Sequence, residues 1–246
     1  FFSHKESVKF SKFFSLSFKL YFLIKKSIAP PLPNWVKIKN LLITIPKKHE
    51  VILVDNSQDE LLKEIADNYD CNLIVNKENL GCPTAWNIGA EYATKNFFLF
   101  SNPDTLFLPN TIEELMKAVK RYPKVSAFNP KIIDRKNNHY FKRRSVLMPR
   151  SEWMSRKYPK TDCEVSVLHG SAIFIKKENF FKLNGFDERI FLYHDDDDIS
   201  IRLKREIGPL MYINNSEIVH LAGRSSSRDK EIASIKGYHM GRSRVC

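Results

Sequence analysis

The sequence predicts an α/β fold built around a mostly parallel central sheet that is flanked by helices. Short apolar runs alternate with segments of helical periodicity between residues 51 and 121, and this alternation is typical of right-handed β-α-β units. The apolar runs are continuous, as expected of strands buried on both faces. A chain of 246 residues that is 43% hydrophobic can form a substantial core. The less regular second half predicts a small antiparallel second sheet.

The elements of the first half follow one another in regular order. Strands are predicted at 27–30, 51–54, 73–75 and 97–100, and helices at 35–45, 58–69, 84–94 and 110–121. Upstream, residues 8–24 fit both a helical face and the alternation of a strand. This segment is either an amphipathic helix on a membrane surface or an extra element packed on the domain. We therefore separate a basic, aromatic N-terminal extension at 1–26 from a single domain at 27–246.

The second half is patterned less clearly. Residues 131–150 are polar and basic, which predicts a loop or hairpin. Strands are predicted at 171–175, 211–213 and 218–220, and helices at 177–183 and 198–206. The sequence contains no internal repeat and no interdomain linker. The chain begins with Phe1 rather than Met and stops at Cys246, so either end can be a cut within a longer protein.

The net charge of +12 is concentrated at the two ends of the chain. Residues 1–50 carry ten Lys against two Glu, and residues 221–246 carry six Lys or Arg against two acids, which leaves the intervening body neutral. Basic ends can meet an anionic membrane surface, or they can be ordinary solvated surface. Nucleic acid is the third candidate, but because no recognition motif supports it we expect no nucleic-acid partner.

The compartment is predicted from hydropathy and cysteine usage. No run of eighteen or more apolar residues exists in the sequence, so no transmembrane span is predicted. The four cysteines, Cys71, Cys82, Cys163 and Cys246, show neither close pairing nor metal-ligand spacing, and we interpret them as reduced thiols. The expected location is the cytoplasm, with peripheral attachment to the inner face of the cell membrane as a further hypothesis.

Polar side chains follow the predicted strands at their carboxyl ends. Asp55, Asn79 and Asp104 each fall at or just after such an end, and parallel sheets bind ligands at that edge. Two interpretations of Asp104 remain open. It is a ligand of Mg²⁺ or Mn²⁺, which take further ligands from substrate phosphates, or it is a turn residue that caps the helix beginning near Asn110.

A run of four aspartates, Asp195–Asp198, follows Tyr193 and His194. One or two acids at the start of a helix serve capping and the helix dipole. Four in succession crowd like charges, which favours a cation or a catalytic role. A general base must be an ionised carboxylate within reach of the acceptor, and Asp196 or Asp198 could serve.

Histidines and glycines give weaker signals. His220, and His169 before Gly170, are by themselves more often structural than functional. Gly81 and Gly89 do not form a phosphate-binding loop of the P-loop or dinucleotide type. This argues against kinase and NAD-dependent functions.

Eight short blocks, in order along the chain, resemble those of a known family. They are Pro31–Asn34, Val54–Ser57, Glu78–Gly81, Trp86–Gly89, Asn102–Thr105, Gly185–Glu188, Tyr193–Asp198, and His220 with Ser225 and Ser226. With these blocks the chain resembles the family 2 glycosyltransferases, especially the rhamnosyl- and galactosyltransferase-like members that build bacterial surface polysaccharides. The resemblance runs from about Ser27 to about Arg244.

The resemblance implies a GT-A, Rossmann-like fold and a nucleotide-sugar donor, either a UDP- or a dTDP-sugar. By the family pattern Asp55 contacts the base of the nucleotide, and Asn79 and Gly81 line the same pocket. Asn34 is what remains of the family's Thr-Tyr-Asn motif and is also assigned to the nucleotide. Residues 1–26 lie outside the resemblance.

The resemblance also implies a cofactor, Mn²⁺ or Mg²⁺. Asp104 occupies the last position of the family's D-x-D motif, and Asn102 occupies its first position, beside the nucleotide. His220 is similar to the histidine that completes the metal–diphosphate site. A metal held in this way neutralises the diphosphate leaving group as a Lewis acid.

The catalytic base is assigned by the same resemblance to Asp196, which matches the second residue of the family's Glu-Asp pair. Two departures from the pattern leave alternatives open. Asp195 stands where the family has Glu, and Asp197 stands where an apolar residue is usual. Asp195 and Asp198 therefore remain catalytic candidates beside Asp196.

The expected function is inverting transfer of a hexosyl or rhamnosyl group from a nucleotide-diphosphate donor to a glycan or lipid-linked acceptor, in bacterial surface polysaccharide synthesis. A nucleotidyltransferase is one alternative, but it needs a Gly-rich, basic loop that residues 30–34 do not supply. A catalytically inactive homologue that serves as a binding scaffold is the other. Acceptor choice is expected to depend on residues 131–158 and on the region after 225.

Overall fold

The computed structural model describes residues 19–24, 34–221 and 230–245, and the fold is of the predicted α/β class. The strands are β1 (Lys19–Ile24), β2 (Glu50–Asp55), β3 (Asn72–Val75), β4 (Phe97–Ser101), β5 (Thr105–Phe107), β6 (Ala127–Ile133), β7 (His139–Tyr140), β8 (Cys163–Val165), β9 (Ala172–Lys176) and β10 (Leu210–His220). The helices are α1 (Asn34–Ile43), α2 (Leu61–Asn68), α3 (Cys82–Glu91), α4 (Thr111–Arg121), α5 (Lys177–Lys182), α6 (Asp195–Glu206) and α7 (Lys230–Arg242), with a 3₁₀ turn at Arg150–Glu152. None of these helices is long and apolar enough to span a bilayer.

One half of the sheet is parallel, in the order β3-β2-β1-β4. The register pairs Ile24 of β1 with Asp55 of β2, and Asp55 with Val75 of β3. Parallel strands bring their carboxyl ends to one edge. The residues that follow β2, β3 and β4 therefore meet there, as the sequence predicted.

Strand β1 lies where the sequence predicted a separate extension. Residues 19–24, which were assigned to an extension with an ambiguous period, are a strand between β2 and β4. The strand predicted at 27–30 lies outside the described residues. Over 19–24, therefore, the proposed extension is part of the central sheet rather than separate from the domain.

The other half of the sheet contains the antiparallel strands. Strand β9 lies antiparallel to both β4 and β6, β10 runs parallel to β6, and β5 pairs antiparallel with β10. The short strands β7 and β8 add to β6 and β10. The small antiparallel part expected beside the parallel strands is thus present and joins the same sheet. Strand β10 unites the strands predicted at 211–213 and 218–220, with a register shift between Ile213 and Glu217.

Helices cover both faces of the sheet, because the side chains of a strand alternate between its two faces. On β4, Leu99 packs into a core with α1, α2 and α4, whereas Phe98 and Phe100 pack into a second core with α3, α5 and α6. The second core is rich in aromatic rings, with Trp86 and Phe186 4.7 Å apart between ring centroids. The two cores fix the positions of the helices on either face of the sheet.

Candidate active site

Asp55 ends β2 and shapes the turn that follows it. Its Oδ1 accepts hydrogen bonds from the backbone N and the Oγ of Ser57, both at 2.6 Å, and its Oδ2 accepts one from the N of Asp59 at 2.9 Å. The residue is 1% exposed. Its place at the carboxyl edge agrees with the predicted nucleotide pocket, and its contact with a base stays a prediction.

An amide network joins the next two predicted residues to the same edge. The Nδ2 of Asn56 donates to the Oδ1 of Asn79 at 3.2 Å and to the carbonyl of Gly81 at 3.0 Å. Gly81 has φ +85°, and a Cβ there would lie 2.7 Å from the carbonyl oxygen of Phe191. Only glycine fits this approach, so Gly81 lets the loop after β3 close against Phe191. Asn34 begins α1, and its side chain lies outside the described part of the chain.

Asp104 lies between β4 and β5 and faces β10. Its Oδ1 is 3.3 Å from the Nε2 of His220, and the two side chains are 10% and 12% exposed. The alternative in which Asp104 caps α4 is not what the contacts show, because the carboxylate pairs with His220 instead. Asn102 holds the turn through its backbone, with its N–H donating to the carbonyl of Ser171 at 3.1 Å.

Charge keeps Asp104 ionised. Burial alone would raise the pKa of this carboxyl, but the hydrogen bond and charge of His220 and the charge of Lys37 lower it, and the net shift is downward. Lys37, on α1, is 5% exposed, and burial lowers its own pKa while Asp104 opposes that shift. A negative group and a buried cation thus share the space beyond β4.

The donor set offered here fits a hard divalent cation only in part. Asp104 supplies a carboxylate oxygen and His220 an imidazole nitrogen, whereas no group of three or more His, Cys, Asp or Glu that could hold a metal ion occurs among the described residues. Mg²⁺ and Mn²⁺ commonly use one or two carboxylates and take further oxygens from substrate phosphates and water. The pair therefore fits an ion that arrives with a diphosphate.

The four aspartates form the first turn of helix α6. Tyr193 and His194 both have left-handed backbones, φ +66° and +62°, and the helix starts directly after them at Asp195. The predicted start at 198 is therefore three residues late. The acids lie in the first turn, where the N–H groups and dipole of the helix favour negative charge.

Asp196 and Asp197 share one cation from the segment after β7. The Nζ of Lys142 is 2.7 Å from the Oδ2 of Asp196 and 2.8 Å from the Oδ1 of Asp197. Asp197 also contacts the Nδ1 of His194 at 2.6 Å and is 6% exposed. Asp196 is more open, at 15%, and accepts a hydrogen bond from the N of Gly170 at 2.8 Å.

Asp198 has a different partner. The Nε of Arg202, one turn along the helix, donates to the Oδ2 of Asp198 at 2.9 Å, and an η nitrogen does so at 2.5 Å. The same guanidinium donates to the carbonyls of Leu183 and Gly185 after α5. Asp198 therefore ties α6 to α5, while Asp195, the first helical residue, is half-buried.

His169 joins the two acidic sites. Its ring lies 5.4 Å from that of His220, the partner of Asp104, and the next residue, Gly170, donates to Asp196. Burial lowers the pKa of His169 to about 3, so the ring is neutral near pH 7. Asp104 and Asp196 therefore face one region of the molecule, with a neutral imidazole between them.

The family follows from a comparison with known proteins. The family model described as Glycosyl transferase family 2 matches residues 35–183. The chain belongs to this family. The match contains β2 to β4, the Asp104 turn and His169, and it ends before α6 and β10.

Two relatives of this chain are named as rhamnosyltransferases. The N-acetylglucosaminyl-diphospho-decaprenol L-rhamnosyltransferase of Mycobacterium tuberculosis is 26% identical over 223 residues, covering 78% of this chain and 73% of the relative. Rhamnosyltransferase WbbL of Escherichia coli is 26% identical over 211 residues, covering 75% of this chain and 78% of the relative.

Solved structures confirm the GT-A fold. GalNAc-T7 with UDP, GalNAc and Mn²⁺ superposes with a TM-score of 0.66 at 17% identity, over 87% of this chain and 44% of that one. A mannosyltransferase from Pyrobaculum calidifontis with GDP-Man and Mn²⁺ gives 0.64 at 17% identity, over 92% and 63%. The chain thus spans less than two thirds of either structure.

Three site residues of this family 2 chain were not singled out from the sequence: Lys37, Lys142 and Asn56. Lys142 lies in a segment interpreted as a loop, and nothing in its spacing marks it as the partner of Asp196. His169 gives only a weak signal in the sequence, because a lone histidine carries no pattern. Each is placed by tertiary packing.

Proposed function

We propose that this family 2 chain catalyses inverting transfer of a sugar from a nucleotide-diphosphate donor to a glycan or lipid-linked acceptor, in bacterial surface polysaccharide synthesis. One observation carries the proposal. The Asp104–His220 pair and the Asp196 carboxylate meet on two sides of His169, at the carboxyl edge of the parallel strands. The names of the two rhamnosyltransferase relatives support rhamnose among the donor sugars.

The donor diphosphate is assigned to the Asp104 side. Asp104 and His220 would hold Mn²⁺ or Mg²⁺, which when bound neutralises the leaving diphosphate as a Lewis acid. Lys37 adds a buried positive charge beside Asp104. The nucleoside is assigned to Asp55, Asn79 and Gly81, with Asn34 and Asn102 adjoining.

The acceptor is assigned to the Asp196 side. Its hydroxyl attacks the anomeric carbon from the face opposite the diphosphate. The new carbon–oxygen bond forms as the bond from the anomeric carbon to the diphosphate oxygen breaks with its electron pair, and the hydroxyl proton passes to the Asp196 carboxylate. The transition state is oxocarbenium-like, and the single displacement inverts the anomeric configuration.

Contacts favour Asp196 over its neighbours as the base. Asp198 is held by Arg202, and Asp197 is buried between Lys142 and His194. Asp196 is the acid that adjoins Gly170 and His169. Burial raises the pKa of Asp196, but the charge of Lys142 and the hydrogen bonds from Lys142 and the N–H of Gly170 lower it by more. Asp196 is therefore ionised and can accept a proton.

A screen of nucleotide sugars for release of nucleoside diphosphate tests the proposal. We expect release that depends on Mn²⁺ or Mg²⁺ and increases with a lipid-linked acceptor. Asp196→Asn should lower kcat about 100-fold or more, the usual scale for loss of a general base. Asp198→Asn is the matched control, and it should lose stability while keeping kcat within a few-fold.

Two outcomes would contradict the proposal. Turnover of folded Asp196→Asn near that of the unchanged chain would remove Asp196 from the role of base. Isothermal titration with UDP, dTDP and GDP, with and without Mn²⁺, tests the alternative in which the chain is an inactive binding scaffold. Absence of any metal-dependent binding would favour that alternative over the enzyme.

A further inference from the structure

The segment from β7 to residue 160 carries a local excess of positive charge. Residues 139–160 contain seven Lys or Arg and a single acid, Glu152. That acid is already paired with Lys204 of α6, at 2.9 Å. Because residues 51–220 are neutral as a whole, acidic residues elsewhere in that range balance this excess.

A cleft of about 360 Å³ opens among these cations. Its walls include Tyr140, Lys142, Arg143, Arg144, Arg156 and Tyr158. Within the described part of the chain, neither Arg144 nor Arg156 pairs with a carboxylate. Crowded, uncompensated like charges destabilise a folded protein unless an anion neutralises them.

Two of the cleft arginines, Arg143 and Arg144, are held in place by an aromatic ring rather than by acids. The guanidinium carbon of Arg144 lies 4.7 Å from the ring centroid of Trp153, and that of Arg143 lies 5.9 Å away. The backbone of Met154 donates to the carbonyl of Arg143 at 2.9 Å, and an η nitrogen of Arg143 donates to the carbonyl of Met154 at 3.2 Å. Stacking and backbone contacts orient a guanidinium and leave its charge unneutralised.

The cleft adjoins the acceptor side of the active site. Lys142 lines the cleft, and its Nζ contacts Asp196. Tyr140 also lines it and packs on His169, with ring centroids 4.9 Å apart. An anion in the cleft would therefore lie beside Asp196, on the opposite side of His169 from the Asp104–His220 pair assigned to the donor diphosphate.

We propose that this cleft binds the diphosphate of a lipid-linked acceptor, with Arg144 and Arg156 as its principal contacts and Lys142 as the link to Asp196. The inference rests on the proposed function and names the acceptor class of the same site. A guanidinium group can donate two parallel hydrogen bonds to two phosphate oxygens. Such charge-assisted bonds are among the strongest hydrogen bonds in proteins. An anchored diphosphate would hold the adjoining sugar near Asp196.

Direct binding tests the cleft without requiring turnover. Inorganic pyrophosphate is titrated into the full chain in EDTA, which suppresses metal-dependent binding at Asp104. We expect binding that weakens at least about tenfold in R144Q/R156Q and persists in R135Q. Arg135 is an exposed arginine that does not line the cleft. Equal affinity in the double variant and the unchanged chain would overturn the proposal.

Kinetics separate this proposal from the parent function. With the best donor, R144Q/R156Q should raise KM for a short-chain lipid diphosphate sugar about tenfold or more, and should leave KM for the phosphate-free alkyl glycoside of the same sugar unchanged. R144K/R156K, which keeps the charge, should recover part of the affinity. An equal rise in KM for both acceptors would overturn the proposed role of the cleft, but it would not contradict the transferase reaction. Absence of transfer to any acceptor would refute the transferase instead.

A membrane headgroup is the competing source of phosphate. Flotation with phosphatidylglycerol vesicles, compared with neutral phosphatidylcholine vesicles, distinguishes it. We expect R144Q/R156Q to float as the unchanged chain does. Loss of flotation in the double variant, with no change in discrimination between the two acceptors, would assign the cleft to the bilayer and overturn the proposal.

Discussion

The donor and acceptor sides of the candidate site are built in different ways. On the donor side, Asp55 and Asp104 follow strands of the sheet, and the sheet fixes their positions. On the acceptor side, the cations come from 139–160, which contains only a two-residue strand and a short 3₁₀ turn, and contacts with α6 and Trp153 hold them. Under the proposed assignment, the donor side thus lies on regular structure, and the acceptor side lies on an irregular segment.

The largest expected effect is on the donor side. Asp104→Asn removes the charge that pairs with His220. The metal that would neutralise the leaving diphosphate should therefore bind more weakly. We expect kcat/KM to fall about 100-fold or more, with a higher Mn²⁺ requirement, since such a charge is worth several kcal/mol in the transition state. Steady-state kinetics across a Mn²⁺ titration provide the measurement.

The control for this change is Asp134→Asn. Asp134 is another turn aspartate, held by Asn138 and not assigned to the site. It should retain full activity. A small effect of Asp104→Asn at all Mn²⁺ concentrations would show that the two sides do not divide the chemistry as described.

The same difference explains what the sequence could predict. The β-α-β alternation identified the helices of the first half and the strands at 51–54, 73–75 and 97–100, and the strand ends located Asp55 and Asp104. Strand β6 was missed because Asn129 and Pro130 interrupt its apolar run. The hydrogen-bonding groups of the Asn129 side chain find their partners only in the folded chain. There Asn129 donates to the carbonyl of His169 and accepts from the N–H of the same residue.

The four aspartates Asp195–Asp198 also show that sequence alone cannot predict contacts made in the fold. Their sequence predicted functional charge, but four adjacent aspartates cannot be told apart by composition. They are distinguished by partners far along the chain: Lys142 for Asp196 and Asp197, and the α5 end, through Arg202, for Asp198. The period of strand β1 was ambiguous for a similar reason, since only its two neighbours in the sheet decide it.

An intermediate effect is expected where the acceptor side meets the base. Burial raises the pKa of Asp196, and the charge of Lys142 lowers it, as do the hydrogen bonds from Lys142 and Gly170. Tyr140, Asp197 and the N–H of Gly170 also lie close to Asp196. Lys142→Gln removes the main lowering charge, so the pKa of Asp196 rises. The acidic limb of the kcat/KM profile should move to higher pH, so kcat/KM should fall most on the acid side of the profile.

Lys131→Gln provides a matched control for the pH profile. Lys131 pairs with Glu217 at 3.1 Å and is 18% exposed, close to the 15% of Lys142. Its loss should leave the acidic limb in place. An unmoved limb in Lys142→Gln would mean that the titrating base is not Asp196, and that the salt bridge is only structural.

The smallest effect is expected at Gly170, where the sheet meets the acceptor side. A Cβ there would lie 3.2 Å from the Cβ of Asp196 and 3.3 Å from its Oδ2, so the carboxylate must move by a few tenths of an ångström. Gly170→Ala should lower kcat by about three- to tenfold, because small displacements of a catalytic group are costly. Gly237→Ala is the control, since a Cβ at Gly237 meets nothing within 4 Å. Thermal unfolding should change little in Gly170→Ala, and an unchanged kcat would show that the position of Asp196 is not set by the sheet.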